Sequence, residues 1–414
     1  MRGRHMGWRR LNAFLAVLIV ATTLRAQSAL AQSDTTKKPW LTVYGFAQLD
    51  LIGDFNVVDP AWFDVVRPSK LPSFDEEFGK NGHTYVSVRQ TRFGIRAGVP
   101  TGLGELTTRF EFDLFGTGVD AGQTTFRLRY AYGQLGQFAA GQMESPFMDI
   151  NVFPNTVEYW GPNGMVFFRN PQVRWMPMQG TKSLTIALER PGASADAGDF
   201  ADRIQLQDVV PRFPLPDLSA AYRQEWGWGY LRGAVILRRM DWDQLHPDTI
   251  DLSGSATGWG INLSSNVKVT KNDVLRLEAT FGKGVENYMN DAPADVGAQP
   301  QPENTRTPFT GVPLGLFGMV AYLDHTWNDR FTSSVGYSRI DIDNSDGQSS
   351  DAFKNGQYAS ANVLYTPVKD MLVGAELIWG HRTNKSDGFS SSDTRIQFTF
   401  KYNFSATIGK GAQQ

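Results

Sequence analysis

From Arg109 to Leu114 the chain alternates strictly. Phe110, Phe112 and Leu114 fall on one side of a strand, with Leu106 and Thr108 in line behind them, while Arg109, Glu111 and Asp113 fall on the other. Its neighbours are two-faced as well. In Gln90–Val99, Phe93, Ile95, Ala97 and Val99 oppose Arg92 and Arg96. In Phe126–Tyr132, Phe126, Leu128, Tyr130 and Tyr132 oppose Arg127 and Arg129. A soluble sandwich rarely fills one face with charge and the other with bulky aromatics in strand after strand. A barrel with lipid outside and water inside requires that arrangement. The pattern predicts an all-β protein, a transmembrane antiparallel β-barrel in a bacterial outer membrane.

Carried along the chain, the pattern predicts about sixteen strands between Trp40 and Phe404. Long connections such as Gly53–His83, Glu144–Asn170, Pro191–Pro216 and Gly284–Gly315 alternate with short ones such as Pro100–Gly104, Gln179-Gly180 and Lys271-Asn272. Long extracellular loops and short periplasmic turns are the asymmetry of outer-membrane barrels. The last strand sends Ile396, Phe398, Phe400, Tyr402 and Phe404 outward, which as a soluble sheet edge would invite aggregation. Trp40, Trp175, Trp327, Trp379 and Tyr402 fall near predicted strand ends, where interface girdles form.

The first 31 residues read as a secretory signal, with Arg2, Arg4, Arg9 and Arg10, the apolar run Leu11–Leu24 and the cleavage pattern Ala29-Leu30-Ala31. Residues 32–39 form a short periplasmic lead-in, 40–404 one barrel unit and 405–414 a C-terminal extension. Removing residues 1–31, which hold five Arg and no acidic residue, takes the formal charge from −2 to −7. A chain that acidic is a poor nucleic-acid binder. Cysteine is absent, so neither a disulfide framework nor a Cys-based metal site exists. No His or Asp spacing suggests a metal or cofactor site.

Apolar faces toward lipid place the charged faces toward the lumen. The inward candidates are Arg92, Arg96, Arg109, Glu111, Asp113, Arg127, Arg129, Arg174, Arg232 and Arg238, eight of the ten being Arg. Guanidinium groups stay charged and grip carboxylates or phosphates in a fork, so a wall of them favours anions. The alternative is that Arg solvates a wide channel, or pairs with Glu111 and Asp113 as scaffolding. Glu144–Asn170 carries Glu144, Asp149, Glu158 and Arg169 among Phe147, Phe153, Tyr159, Trp160, Phe167 and Phe168. A loop that apolar should not lie open to water. The expectation is that it folds inward and constricts the barrel; packing at a subunit interface is the alternative. Catalysis is disfavoured: beyond His5 only His83, His246, His325 and His381 are available as bases, and there is no Gly-x-Ser-x-Gly. The functional expectation is a diffusion channel with anion preference. The alternatives are a weakly selective general pore and a non-conducting adhesin or structural barrel.

Five ordered blocks resemble those of the DcaP-like outer-membrane porins. They are Val88–Ile95 (Val-Arg-Gln-Thr-Arg-Phe-Gly-Ile), Phe110–Gly116 (Phe-Glu-Phe-Asp-Leu-Phe-Gly), Arg127–Gly133 (Arg-Leu-Arg-Tyr-Ala-Tyr-Gly), Ala140-Gly141-Gln142 and Arg169–Arg174 (Arg-Asn-Pro-Gln-Val-Arg). Lys401–Phe404 resembles their closing strand. The resemblance is densest over residues 84–178. It implies a homotrimer of sixteen-stranded barrels that admits small anionic solutes such as dicarboxylates. Carried over, it points to Arg92, Arg109, Glu111, Asp113, Arg127, Arg129, Arg169 and Arg174. Two departures stand out. Gln32–Pro39 is too short for the helical extension some members carry, and Ser405–Gln414 follows the Phe at which closing strands usually end.

Overall fold

The structure is a computed structural model and describes residues 38–409. Segment 1–31, expected to be a secretory signal, most of the expected lead-in and the last five residues lie outside the described residues. Sixteen antiparallel strands form one sheet. They are β1 (Trp40–Asp54), β2 (His83–Ser87, resumed as Arg92–Thr101), β3 (Gly104–Phe115), β4 (Thr124–Leu135), β5 (Phe138–Glu144), β6 (Arg169–Met178), β7 (Lys182–Glu189) and β8 (Asp217–Trp226). Then follow β9 (Gly229–Gln244), β10 (Gly254–Lys268), β11 (Asp273–Lys283), β12 (Gly315–Thr326), β13 (Phe331–Asp343), β14 (Phe353–Tyr365), β15 (Met371–Asn384) and β16 (Ser390–Gly409). Each strand pairs with the next, and β16 closes on β1 along a ladder from Trp40↔Gly409 to Asp54↔Arg395. Closure removes every sheet edge, as a lipid-exposed sheet demands. Ser405–Gly409 therefore continue the closing strand beyond Phe404.

Outside, Phe110, Phe126, Leu231, Leu263, Val335, Leu377 and Phe400 are exposed on the wall. Trp175, Trp327 and Tyr402 are exposed near the short-turn end. Trp40 departs from the expected girdle. Its indole Nε1 donates to Glu105 Oε1 at 2.8 Å, and the ring lines the inside.

Two irregularities set the lumen. β2 breaks over Val88–Thr91 rather than running unbroken from Thr84 to Val99. There Arg89 leaves the ladder, bonding Asp64 Oδ1 (2.5 Å) and the carbonyls of Gly116 (2.9 Å) and Gln123 (3.1 Å). The second is a β-bulge in β4. Glu111 faces Tyr130 but Phe112 faces Leu128, so Arg129 is an extra residue. One extra residue reverses the side-chain phase beyond it. Tyr130 and Tyr132 therefore point inward, not outward as strict alternation would place them; Tyr130 is buried and Tyr132 lines the lumen.

Three long connections fold into the barrel mouth. Segment 145–168 runs from the top of β5 across the lumen and back to β6. Asp149 accepts from Tyr230 and Ser264 (both 2.7 Å), Glu376 accepts from the Val157 amide (2.6 Å), and Glu278 from the Val166 amide (2.9 Å). Gly164 lies so close to the carbonyls of Met319 and Arg339 that a side chain there would collide with the wall. Segments 55–82 and 284–314 pack over the loop. Between loop and wall lies a buried apolar cluster including Phe147, Val166, Ile236, Tyr288, Leu316 and Ile340. Burying those groups is what draws so apolar a loop inward.

Candidate functional site in the barrel lumen

β3 carries two buried carboxylates, Glu111 and Asp113, on successive inward positions. Four arginines of β2, β3 and β4 converge on them. Arg109 Nη2 donates to Glu111 Oε2 (2.7 Å), and Arg129 donates to Glu111 Oε1 (2.8 Å) and Asp113 Oδ2 (2.9 Å). Arg127 forks onto both Asp113 oxygens at 3.1 and 2.8 Å. Arg92 stands further off, 3.7 Å from Glu111, its guanidinium above the Phe46 ring. Two phenols complete the girdle. Tyr44 accepts from Arg109 Nε (2.8 Å) and donates to Glu111 (2.7 Å). Tyr159, from the inward loop, accepts from Arg127 and from Arg129 Nη1 (2.6 Å) and donates to Asp113 (2.5 Å).

The girdle divides two cavities. Toward the long loops lies one of about 340 Å³, lined in part by Arg67, Arg127, Arg129, Trp160, Phe167 and Arg169. Toward the short turns lies one of about 930 Å³, lined in part by Trp40, Tyr44, Arg96, Glu105, Arg109 and Tyr132. Each holds an arginine with no ion-pair partner among the described residues. Arg169 lies between the rings of Phe167 (4.7 Å) and Tyr130 (5.1 Å), and Arg96 lies over Tyr44 (4.8 Å). Stacked arginine keeps its charge and leaves its in-plane donors for other partners.

The remaining expected residues lie elsewhere in the lumen. Arg174 bonds the Glu144 carbonyl and Gln172 Oε1 (3.1 Å), and Arg232 bonds the carbonyls of Pro146 and Met148 (2.9 Å), so both grip the base of the loop. They share a cavity of about 210 Å³ with Arg223. Arg238 is fully engaged by Asp217 (3.0 Å) and Asp295 (2.8 Å). Of the loop acids, Glu144 accepts from Tyr130, and Asp149 anchors the loop to β9 and β10. Glu158 accepts from the amides of Val66 (3.1 Å), Trp160 (3.0 Å) and Gly161 (2.5 Å). Full burial beside Glu376 pushes its carboxyl up to about 7.

The inward arginines thus do not form the uniform cationic wall expected. Arg109, Arg127 and Arg129 are held by Glu111 and Asp113, Arg174 and Arg232 by oxygens at the base of the loop, and Arg96 and Arg169 flank the girdle with no ion-pair partner among the described residues. Sequence reasoning singled out neither Tyr44 nor Tyr159 as a site residue. Tyr44 was legible, since it shares the inward phase of Thr42, Gln48 and Asp50. Tyr159 sits in a loop whose course no periodicity fixes.

A closed sixteen-stranded barrel with its longest loops turned into a charged lumen is the architecture of a porin. The sequence model of the DcaP outer membrane protein family matches residues 34–404. The chain belongs to that family and is an outer-membrane β-barrel of the porin class. The outer membrane channel DcaP of Acinetobacter baumannii superposes with a TM-score of 0.75 and 22% identity, over 89% of this chain and 98% of that one. OmpT of Vibrio cholerae, in a trimer form, gives a TM-score of 0.54 at 11% identity, covering 89% of this chain and 100% of that one. An anion-selective porin from Comamonas acidovorans gives 0.54 at 10%, with the same coverage of 89% and 100%. No match was found among curated protein sequences.

Proposed function

We propose that the barrel is a passive diffusion channel for small hydrophilic solutes, that it prefers anions, dicarboxylates among them, and that it works as a homotrimer. The observation that carries the anion preference is the placement of Arg169 and Arg96. The two lie in successive cavities on either side of a girdle whose carboxylates are already engaged. A dicarboxylate entering from outside meets Arg169 first, passes the arginine edges of the girdle, and is met by Arg96 beyond it. Glu111 and Asp113 each sit against two or more guanidinium groups, so they repel an anion less than free carboxylates would. The loop acids Glu144, Asp149 and Glu158 act as anchors of the constriction rather than as ligands. The anion-selective porin and the trimeric OmpT among the structural neighbours support the same reading. Transport is favoured over catalysis because the family and these neighbours are channels.

The test is the reversal potential of the refolded protein in a planar bilayer under a salt gradient, followed by added succinate. Anion selectivity with succinate interrupting the open steps is the expected result; clear cation selectivity would sink the proposal. A weakly selective pore is the second reading, favoured by the ion pairs that hold the girdle's arginines against Glu111 and Asp113. It predicts a reversal potential near zero and openings indifferent to succinate.

A further inference from the structure

We infer that the extracellular rim carries a binding site, separate from the lumen, for a small uncharged molecule of one or two aromatic rings. A cavity of about 320 Å³ lies between the connection of β7 to β8, the outer ends of β9 and β10, and the hairpin formed by Val296–Pro300 and Phe309–Pro313. Its floor is a buried cluster of Met240, Ala256 and Val296, with Phe213 and Trp242 packed against it. Phe309 closes one side, stacked on Phe200 at 4.2 Å. An apolar space of roughly 150 Å³ already stays dry and accepts benzene. This one is about twice as large, the size of a two-ring hydrocarbon.

The polar groups at the rim favour an apolar ligand, because most of them already have partners. Trp242 Nε1 donates to the Leu252 carbonyl (2.7 Å). Asp196 accepts from the Gly198 amide (2.9 Å) and Gln348 (2.7 Å). Asp241 sits against Arg239 (2.5 Å) and Arg212 (3.1 Å). A hydrogen-bond acceptor finds the Trp242 donor already taken and an anion would meet Asp196 and Asp241, whereas a hydrocarbon needs none of these groups. The lining also leaves the space open where larger side chains would close it. Ala298 shares the strand face of Val296, and Ala195 lies beside Val296 on the neighbouring strand.

The test titrates 1-bromonaphthalene, whose bromine quenches nearby indoles, into the full barrel in lipid nanodiscs. Detergent is avoided because its tails would compete. Partition into lipid quenches the membrane-facing tryptophans without saturating. The site adds a saturable component, which Trp242→Phe removes and which Ala298→Leu, by filling the space, moves at least tenfold to weaker binding. Heat-modifiable mobility and unchanged channel steps show that each variant is folded; where Ala298→Leu fails this check, Ala298→Val replaces it with a smaller expected shift. Quenching that never saturates in the parent protein overturns the inference, as does a saturable component that survives both substitutions.

Discussion

The Tyr159 hydroxyl donates to Asp113 Oδ2 at 2.5 Å, so a loop residue completes the coordination of a carboxylate that belongs to the wall. The same oxygen accepts from both Arg127 and Arg129. It therefore joins the constriction to the girdle and occupies donors that an anion would otherwise use. Tyr159→Phe is expected to weaken the docking of the loop tip by roughly 1.5–3 kcal/mol, the usual worth of hydrogen bonds to charged groups. It also returns guanidinium N–H groups to the lumen, so the anion-to-cation permeability ratio should rise. Reversal potentials of parent and variant measured side by side check this; a shift toward cations contradicts it.

Arg96 and Arg169 should matter more to selectivity than the three arginines held by Glu111 and Asp113. Neutralising either as Gln removes one unpaired charge from a cavity wall and leaves the girdle intact. Each variant is expected to move the reversal potential toward zero with little change in thermal stability. Arg129→Gln is expected to behave differently. It takes one guanidinium from each of the buried Glu111 and Asp113, which keep Arg109 and Arg127, and lost hydrogen bonds to charged groups are worth roughly 1.5–3 kcal/mol. Its main signature is a lower transition in heat-modified gel mobility.

Over the mouth, Arg67 ties three connections together. Its guanidinium lies 4.1 Å from the Trp62 ring and 4.5 Å from the Trp160 ring, and its Nε donates to Asp291 at 2.9 Å. Asp291 also accepts from the Ser69 amide (2.9 Å) and hydroxyl (2.5 Å). Asp291→Ala removes the shared acceptor and should release segment 284–314, giving faster limited proteolysis of that loop in the folded barrel. Arg67→Lys keeps the charge but loses the planar stack, so it should also accelerate cleavage. Equal cleavage rates in both variants and the parent would show that packing alone holds the mouth.

The wall of this barrel was legible because a strand's period of two records which face meets lipid. Phe110 and Phe400 face out, and Arg109, Glu111 and Asp113 face in, as the alternation reads. That reading fails at Tyr130. Nothing in Arg-Leu-Arg-Tyr marks Arg129 as a bulge, because an extra residue is specified by pairing with β3, not by local pattern. The break at Arg89 has the same origin, since its partner Asp64 lies 25 residues away in a loop. The site suffered most, because it is assembled by ion pairs and loop contacts that composition cannot show. Counting arginines therefore overstated the free cationic surface, while the apolar content of the loop correctly implied shelter from water.

The inward loop should also respond to pH through Glu158. Burial and the neighbouring Glu376 raise its carboxyl to about 7, against an ordinary value of 4.5 when exposed. Since the folded form holds the proton more tightly, the contribution of Glu158 to docking is complete below about pH 4.5. It declines as pH rises toward 7 and is gone above that, a change on the order of 3 kcal/mol. Glu158→Gln mimics the neutral form and should remove this component. Thermal transitions of parent and variant, followed by heat-modified mobility between pH 4 and pH 9, are expected to run together at the acid end and to diverge across neutrality, with the parent falling. Carboxylates remote from Glu158 titrate alike in both proteins and cancel in the difference; the neighbouring Glu376, which interacts with Glu158, does not. Parallel curves would mean that the three amides donated to Glu158 keep its carboxylate ionised throughout.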